Sequence, residues 1–336
     1  MAIDTAQKLS SRYNHHVRVV HSSKTVSSKK YSINGLAAEI IPQDFEQAIE
    51  TLLPYPFDII HLFDCTNKLY LKIASQISKI KNIPLIVTPA TDACLWEDIN
   101  LGMEVCHISH HVITLTPIEK QAIISQGRLS PKQISVIPHS PFLAANRSSD
   151  CLSTSGVSSD DPIVLFLGRK VRDKGYHYIL RASEDVWKYH PRTRFIFAGP
   201  VTNEFKEDIF YHRDKRIIDL GEVTEEEKHF LLQACRFVCL PSNKDVFPLV
   251  FLEAWSYGKP VIGSPIFKDF VIRDEIDGVI VENKSDKLSK SIRRLLDYPE
   301  LCVKMGNNGQ KRVYQDHNSN KSIELINKIY HKCINN

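Results

Sequence analysis

Two carboxylates, Asp245 and Glu253, bracket a mostly apolar run of seven residues. Placing acids beside apolar side chains is costly unless each acid meets a hydrogen-bonding partner, so this pattern indicates a bound ligand. We interpret the run as a loop entering a helix, with Pro248 at the first helical position, where its missing N–H is not needed. The amides of Leu249 and Val250 then lie at the positive helix end, which suits a phosphate. Glu253 shares the helical face of Leu249, so a diphosphate with neighbouring hydroxyls, as in a nucleotide sugar, would satisfy all these groups.

A second polar segment follows a predicted strand about seventy residues earlier, with the sequence Phe-Leu-Gly-Arg-Lys-Val-Arg-Asp-Lys-Gly at 166–175. It resembles the strand-Gly-Arg-x4-Lys-Gly pattern of the family 4 retaining glycosyltransferases, and 244–254 resembles their acid-x7-acid motif. Both motifs occur here in the order that is typical of the family. The resemblance covers roughly residues 160–285 and implies the GT-B fold. That fold consists of two Rossmann-like α/β domains with parallel sheets facing a central cleft.

The resemblance also implies roles for the matching residues. By position, Arg169 and Lys174 hold the donor diphosphate, Asp245 binds the transferred sugar, and Glu253 binds the ribose hydroxyls. Two cations beside the diphosphate would neutralise the charge that grows on the leaving group, which is usually the largest catalytic contribution. We therefore predict Arg169, Lys174 and Asp245 as catalytic residues. The predicted donor-binding residues are Gly168, Arg169, Lys174, Gly199, Asp245, Phe247, Pro248, Leu249, Val250 and Glu253.

Each of these groups also has a purely structural interpretation. Arg169 and Lys174 are otherwise two exposed cations of a basic loop that includes Lys170 and Arg172. The two acids are otherwise a helix cap or turn aspartate and a glutamate that interacts with the helix N-terminus. Gly199 lies in a strand-end turn, and a glycine after a strand is most often only a turn residue.

The composition is that of an ordinary soluble globular protein. The 336 residues are 43% hydrophobic and 24% charged, enough for two domain cores. No stretch approaches the ~20 apolar residues of a membrane span, and the N-terminus lacks the apolar core of a secretory signal. Eight cysteines without paired metal spacing favour a reducing compartment, hence a cytoplasmic location.

The net charge of +4 is too small to indicate a nucleic-acid partner. Basic residues nevertheless concentrate near the start of the chain, where Asp4 is the single acid in the first thirty residues. They favour either a solvated surface or a peripheral contact with an anionic membrane at the inner face. The basic residues of this segment are Lys8, Arg12, Arg18, Lys24, Lys29 and Lys30.

Short apolar strands alternate with helical patterns, which indicates two α/β domains with parallel sheets. We predict an acceptor-side domain over 1–146, a Ser-, Asp- and Gly-rich linker over 147–161, and a nucleotide-sugar domain over 162–318. The resemblance implies that the helix over 319–336 crosses back to the first domain. The predicted strands of the first domain are 16–20, 38–41, 58–63, 84–88, 112–115 and 134–137, and those of the second are 163–167, 194–198, 217–220, 237–240, 260–263 and 278–281.

The first domain departs from the family pattern. Residues 1–15 are predicted to be helical, so the usual first strand and Gly-rich loop are missing and the sheet is expected to be reduced. Direct pairing of 16–20 with 58–63 would close the gap; otherwise the sheet would borrow a strand from a partner or stay partly disordered. A Thr-Pro-Ala sequence at 88–90 replaces the His that is frequent in the family. The candidates for contacting an acceptor are Asp92, Glu97 and Asp98, with His61, His110, His111 and His139 as further possibilities.

These observations predict a retaining, metal-independent glycosyltransferase of the hexosyltransferase type. It would use no cofactor and a UDP- or GDP-type sugar donor, with a glycan or lipid-linked acceptor. No Asp-x-Asp of the metal-dependent type lies on a loop of the second domain, and two cations plus a helix end would take the place of a metal ion. The alternative is a donor-binding but non-catalytic homologue that acts as partner or regulator of an active transferase.

Overall fold

The structure, a computed structural model, describes residues 2–23, 28–127, 129–141, 150–153, 155–211, 214–268 and 270–335. It separates into two compact units, one formed by residues 1–139 together with 319–336 and the other by residues 140–318. Part of the predicted linker, 150–153 and 155–161, therefore lies in the second unit. There Leu152 is buried in the core, and the buried carboxylate of Asp161 pairs with Arg192 and Arg194.

The first unit contains two small sheets. In chain order its elements are α1 (Ala2–Tyr13), β1 (Arg18–Ser22), β2 (Lys29–Ile33), β3 (Leu36–Ile41), α2 (Phe45–Leu52), β4 (Ile60–Phe63), α3 (Lys68–Lys81), β5 (Leu85–Thr88), α4 (Ile99–Ile108), β6 (His111–Thr114), α5 (Pro117–Gly127) and β7 (Ile134–Val136). Strands β4, β5, β6 and β7 form a parallel sheet in that order. The other sheet has the order β1-β3-β2, with β1 parallel and β2 antiparallel to β3.

Direct pairing of 16–20 with 58–63, one of the alternatives for this sheet, does not occur in the described residues, because β1 pairs with β3, with Arg18 opposite Ala37. Strand β2, the other neighbour of β3, was not predicted from the sequence. A tight turn at Asn34-Gly35, with φ of 51° and 81°, joins β2 to β3. An Asn-Gly dipeptide is the strongest local hairpin signal, and it would have located this hairpin. The predicted N-terminal helix is present as α1, with Leu9 buried.

The second unit contains one continuous sheet. Its elements are β8 (Ile163–Leu167), α6 (Tyr176–Trp187), β9 (Arg194–Ala198), α7 (Asn203–Tyr211), β10 (Ile217–Gly221), α8 (Glu225–Ala234), β11 (Phe237–Leu240), α9 (Leu249–Ser256), β12 (Val261–Gly263), β13 (Gly278–Ile280), α10 (Ser285–Asp297) and α11 (Pro299–Asp316). All neighbouring strands are parallel, in the order β10-β9-β8-β11-β12-β13. The central strand β8 is buried along its whole length, as expected for an apolar run covered on both faces.

The strand order of this sheet places a topological switch point between β8 and β11. From β8 the chain first adds β9 and β10 on one side and then returns to add β11, β12 and β13 on the other. Ligands of open α/β sheets bind outside the carboxyl ends of the strands at such a reversal. The two polar segments of the sequence follow these two strands.

The last helix, α12 (Ser319–Ile334), belongs to the first unit and packs against α1. Its apolar side chains Ile323 and Ile326 join Leu9 in a small core. Tyr330 accepts or donates a 2.6 Å hydrogen bond with Nδ1 of His61, whose Nε2 contacts Thr88 Oγ1 at 2.7 Å. Burial lowers the pKa of His61 to about 3, so this imidazole is neutral and links α12 to the sheet.

Candidate functional site

Backbone contacts hold the loop after β8 against the loop after β11. The carbonyl of Asp173 accepts hydrogen bonds from the amide of Asn243 at 2.7 Å and from Ser242 Oγ at 3.0 Å. Gly175, at φ 78°, presses on the carbonyl of Pro241 so closely that any Cβ would clash with it. The glycine of the Lys-Gly motif is thus required by packing between the two loops.

Lys174 and Asp245, which come from different predicted motifs, form an ion pair in this structure. They are 71 residues apart in sequence, and both side chains are largely buried. Arg169 lies on the same loop as Lys174, directly after Gly168, and is exposed. The fold therefore gathers two cations and one carboxylate at the switch point of the sheet.

Glu253 lies on α9 and is buried, with a side chain 7% exposed. Its Oε1 accepts a 2.9 Å hydrogen bond from Nζ of Lys228 on α8. Burial raises the pKa of Glu253, and the lysine charge opposes this rise. The sequence analysis did not single out Lys228, because nothing in its own segment indicates that it faces α9.

Lys170, which the structural interpretation treated as an exposed cation, is fully buried. Its ammonium donates to the carbonyl of Gly199 at 2.6 Å and pairs with Asp219 at 2.6 Å. Arg172 is exposed, as that interpretation expected, and pairs with Glu204 and Asp208 on α7. The basic loop is therefore not a set of equivalent surface charges. Lys170 instead holds the end of β9 through its buried hydrogen bond to Gly199.

Gly199 follows β9 at φ 125° and lies directly against the carbonyl of Gly168, so a Cβ there would clash with backbone. A Cβ at Gly168 would meet no atom within 4 Å. Gly199 thus allows the ends of β8 and β9 to approach each other, and the space above Gly168 is open.

The start of α9 lies one residue later than predicted, because Pro248 is the N-cap and Leu249 the first helical residue. Pro248 contributes no side-chain cap, and the first amides of any helix have no partner within it. Phe247 is buried and packs on His317 with ring centroids 5.3 Å apart. Val250 is buried and Leu249 half-buried, so this apolar part of the motif anchors the helix start.

In the first unit the acidic acceptor candidates have local structural partners. Asp92 accepts from the amide of Cys94, and Asp98 caps α4 and pairs with Lys68 at 2.8 Å. Glu97 accepts from the amide of Lys68 at 2.9 Å. These three carboxylates therefore organise the segment between β5 and α4.

The histidine candidates of the first unit lie at different places. His111 is buried, contacts Ser135 Oγ at 2.9 Å, and has a pKa lowered by burial to about 4. His110 Nδ1 accepts from the amide of Leu85 at 3.2 Å. His139 follows β7 and is half-buried.

The basic residues near the start of the chain also have neighbours within the first unit. Lys8 pairs with Asp4 at 2.7 Å, and Arg18 pairs with Glu39 at 3.2 Å. Lys24 lies outside the described residues. Across the part of the chain that is described, none of the helices combines the length and apolar character that a membrane span requires. The same residues contain no group of three or more His, Cys, Asp or Glu side chains arranged to hold a metal ion.

Residues 153–312 match the family described as glycosyl transferases group 1. This match covers most of the second unit. An uncharacterised glycosyltransferase of Methanocaldococcus jannaschii is 27% identical over 233 residues, which cover 68% of this chain and 57% of that protein. The chain spans about half the length of the curated relatives it matches.

Solved structures extend the similarity to the whole chain. Sucrose-phosphate synthase from Thermosynechococcus elongatus has a TM-score of 0.80 and 19% identity, covering 98% of this chain and 92% of that one. Anabaena HepE in complex with UDP-glucose has a TM-score of 0.74 and 14% identity, covering 94% of this chain and all (100%) of that one. The predicted GT-B fold, with two Rossmann-like units, is confirmed.

Proposed function

We propose that this protein is a retaining glycosyltransferase that moves a sugar from a nucleoside-diphosphate donor to a glycan or lipid-linked acceptor. The observation that carries the proposal is the ion pair between Lys174 and Asp245 at the switch point of the second unit. A single donor can engage both groups there, with phosphate on the ammonium and a sugar hydroxyl on the carboxylate. The match of residues 153–312 to the glycosyl transferases group 1 family supports the same conclusion.

The cations have a direct role in this chemistry. As the sugar–phosphate bond breaks, negative charge develops on the departing diphosphate. Arg169 and Lys174 bind that diphosphate and stabilise the charge, with the amides at the start of α9 as additional donors. With these groups the reaction proceeds without a metal ion or other cofactor. The proposal assigns leaving-group stabilisation to the loop after β8.

The carboxylates select the two sugars of the donor. Asp245, on the loop after β11, accepts hydroxyl hydrogen bonds from the transferred sugar. Glu253 accepts them from the ribose, as the resemblance to family 4 implies. We propose UDP or GDP as the nucleotide, and a complex of the structurally similar HepE with UDP-glucose supports the UDP type.

The acceptor is assigned to the first unit. Its strand ends carry exposed or half-buried polar groups, including Asp92 and Asp98. We place the protein in the cytoplasm, with peripheral contact at the inner membrane face through the basic residues near the start of the chain. Nucleic acid is not a proposed partner.

The first experiment is a thermal-shift screen with UDP, GDP, ADP and their common sugars. A ligand at a hundred times its Kd adds about 2.7 kcal/mol to stability, which is easily measured. The sugar nucleotide that binds is then tested for hydrolysis and for transfer to glycan and lipid-linked acceptors, and NMR of the product gives the anomeric configuration. Donor binding without any hydrolysis or transfer would contradict the enzymatic function and favour a non-catalytic homologue. Inversion at the anomeric carbon would contradict retention.

A further inference from the structure

We propose that Lys228 is a positioning residue for nucleoside recognition, which holds Glu253 so that one carboxylate oxygen is presented to the donor ribose. This inference rests on the proposed function, because it concerns the same donor site. Lys228 does not belong to either motif that the sequence indicated. It lies on α8, 25 residues before Glu253.

The geometry places Lys228 between two acids. Its Nζ lies 2.9 Å from Glu253 Oε1 and 2.6 Å from Glu225 Oε2. The Lys228 side chain is 13% exposed, whereas that of Glu225 is 45% exposed. The Lys228 ammonium therefore bridges an exposed acid and a buried one, and these two contacts restrict its orientation.

The start of α8 is rigid, which fixes the position of Lys228. Thr224 and Glu227 form a reciprocal capping box, with the Thr224 side chain accepting from the Glu227 amide and the Glu227 side chain accepting from the Thr224 amide. Such a box satisfies two amides of the first turn at once. Because Lys228 directly follows this turn, the ammonium is placed by backbone structure rather than by a mobile loop.

The pKa values of Glu253 and Lys228 are both set mainly by burial and by the opposite charge of the partner. Burial has the largest influence on the pKa of each group. It raises the pKa of Glu253 despite Lys228, whereas the attraction of Glu253 and Glu225 outweighs burial at Lys228, whose pKa is raised. Lys228 therefore remains charged, and its charge is the main opposition to protonation of Glu253.

Other ionisable groups surround the pair. Tyr257, just beyond α9, lies close enough to interact electrostatically with both Lys228 and Glu253, and burial raises its pKa. The Tyr257 hydroxyl hydrogen-bonds to His229 Nδ1 on α8. Tyr257 is neutral near pH 7, whereas Lys228 and Glu225 carry charges that act on Glu253.

The function of the pair follows from these contacts. An ionised carboxylate accepts hydrogen bonds more strongly than a neutral carboxyl group, and charge-assisted bonds give directional recognition. With Oε1 held by Lys228, Oε2 is the oxygen that we assign to the ribose hydroxyls. Lys228 thus acts on the nucleoside through Glu253, while the diphosphate is bound by Arg169 and Lys174.

The test compares Lys228→Met and Lys228→Arg with wild type by calorimetry, using UDP, GDP and inorganic pyrophosphate from pH 5.5 to 8.5. Lys228→Met should weaken binding of the nucleoside diphosphate about tenfold at pH 7, as expected for a lost charge-assisted contact. Its pyrophosphate affinity should stay within about twofold of wild type, since the phosphate ligands are intact.

The pH profile separates positioning from a merely structural role. Without the lysine the pKa of Glu253 rises further, so nucleotide affinity should fall at a higher pH than in wild type as the solution is acidified. Lys228→Arg should restore the wild-type profile. The matched control is Lys188→Met, which removes an exposed lysine that pairs with Asp185 on α6, and it should leave both affinities unchanged.

A double variant keeps the test decisive if Lys228→Met folds poorly. Lys228→Met with Glu253→Gln removes both charges, and its nucleotide affinity should equal that of Glu253→Gln alone. A further loss would overturn the inference, as would a Lys228→Met variant with wild-type affinity and pH profile. Wild-type protein that binds pyrophosphate but neither UDP nor GDP would contradict the proposed donor, and with it this role for Lys228.

Discussion

The strand ends of the two units carry polar side chains that are used differently. In the second unit, Lys174 and Asp245 meet across two loops and Arg169 is exposed beside them. In the first unit, Asp64 accepts from the amide and hydroxyl of Thr66 and from the hydroxyl of Thr91. Asp64 thus stabilises its own loop and the neighbouring one, whereas the charges of the second unit come from two loops and include an exposed arginine.

Sheet topology accounts for this difference. The second unit reverses its strand order beside β8, so the loops after β8 and β11 follow neighbouring strands at the kind of position where open α/β sheets bind ligands. The described four-stranded sheet of the first unit adds β4, β5, β6 and β7 in one direction. Two of its loops contain non-glycine residues with left-handed backbone conformation, Asp64 with φ 74° and Ala90 with φ 62°. Strain of this kind in non-glycine residues is often found at functional sites, which favours these loops as the acceptor side.

Removing the cations of the second unit should have the largest effect. Arg169→Ala and Lys174→Ala should each weaken nucleoside-diphosphate binding by about 1.5–3 kcal/mol. Transfer should fall about 10²–10³-fold, since electrostatic stabilisation of the leaving group is lost. Calorimetry and a transfer assay measure the two effects.

The matched control for these cations is Arg172→Ala. Arg172 belongs to the same loop but pairs with Glu204 and Asp208 on α7, so diphosphate affinity should be retained. Equal losses in all three variants would show that the loop acts as an undifferentiated basic surface. Unchanged affinity in the Arg169 and Lys174 variants would remove the phosphate-binding assignment.

The two carboxylates of the second unit should respond in opposite ways. Glu253→Gln should weaken binding of the free nucleoside diphosphate by about 1–2 kcal/mol, because the ribose loses a charged acceptor. Asp245→Asn should preserve or tighten that binding, since the carboxylate no longer competes with phosphate for Lys174, and should damage only the sugar-dependent part of donor affinity. Titrations with UDP and UDP-glucose distinguish these outcomes, and parallel losses would mean that Asp245 is misassigned.

Gly199→Ala tests the packing between the ends of β8 and β9 separately from charged contacts with a ligand. The added methyl group would clash with the carbonyl of Gly168, so we expect a stability loss of about 1–3 kcal/mol together with weaker donor binding. Gly168→Ala has open space for its Cβ and should lose less stability. Thermal unfolding of both variants checks this order, and a more destabilised Gly168 variant would contradict the geometry.

The smallest effect on donor binding is expected in the first unit, at Glu119 on α5. Its Oε2 accepts a 2.6 Å hydrogen bond from the amide of Leu115, and burial raises its pKa to about 7. An acid whose folded-state pKa exceeds its unfolded value contributes stability below the unfolded pKa, and this contribution is lost as pH rises toward 7. Glu119→Gln keeps the acceptor without the charge, so it should be more stable than wild type at pH 8 by on the order of 1–3 kcal/mol, with little difference at pH 4.5.

Thermal unfolding of the Glu119 variant at the two pH values tests this dependence. Donor affinity in the second unit should be unaffected. A stability difference that does not change with pH would show that Glu119 is not titrating in the folded protein. A change in donor affinity would show that the two units are not functionally separate at this position.

Most strands could be predicted from the sequence, which also contains the two motifs that we assign to the donor. Twelve of the predicted strand segments overlap observed strands, since buried parallel strands are short apolar runs that composition alone reveals. The strand missed, β2, begins with two exposed lysines at the edge of a sheet and carries little apolar signal. The domain bounds and the roles of the donor residues remain predictions.

Only the tertiary structure shows which charged side chains pair with one another. Lys170 and Arg172 are similar in sequence context, yet Lys170 is fully buried and Arg172 is exposed, where it pairs with Glu204 on α7. Lys228 meets Glu253 only because α8 and α9 are brought together by the order of the sheet. Such contacts join residues far apart in the chain, and local periodicity reports which face of an element is apolar but not which distant side chain will lie against it.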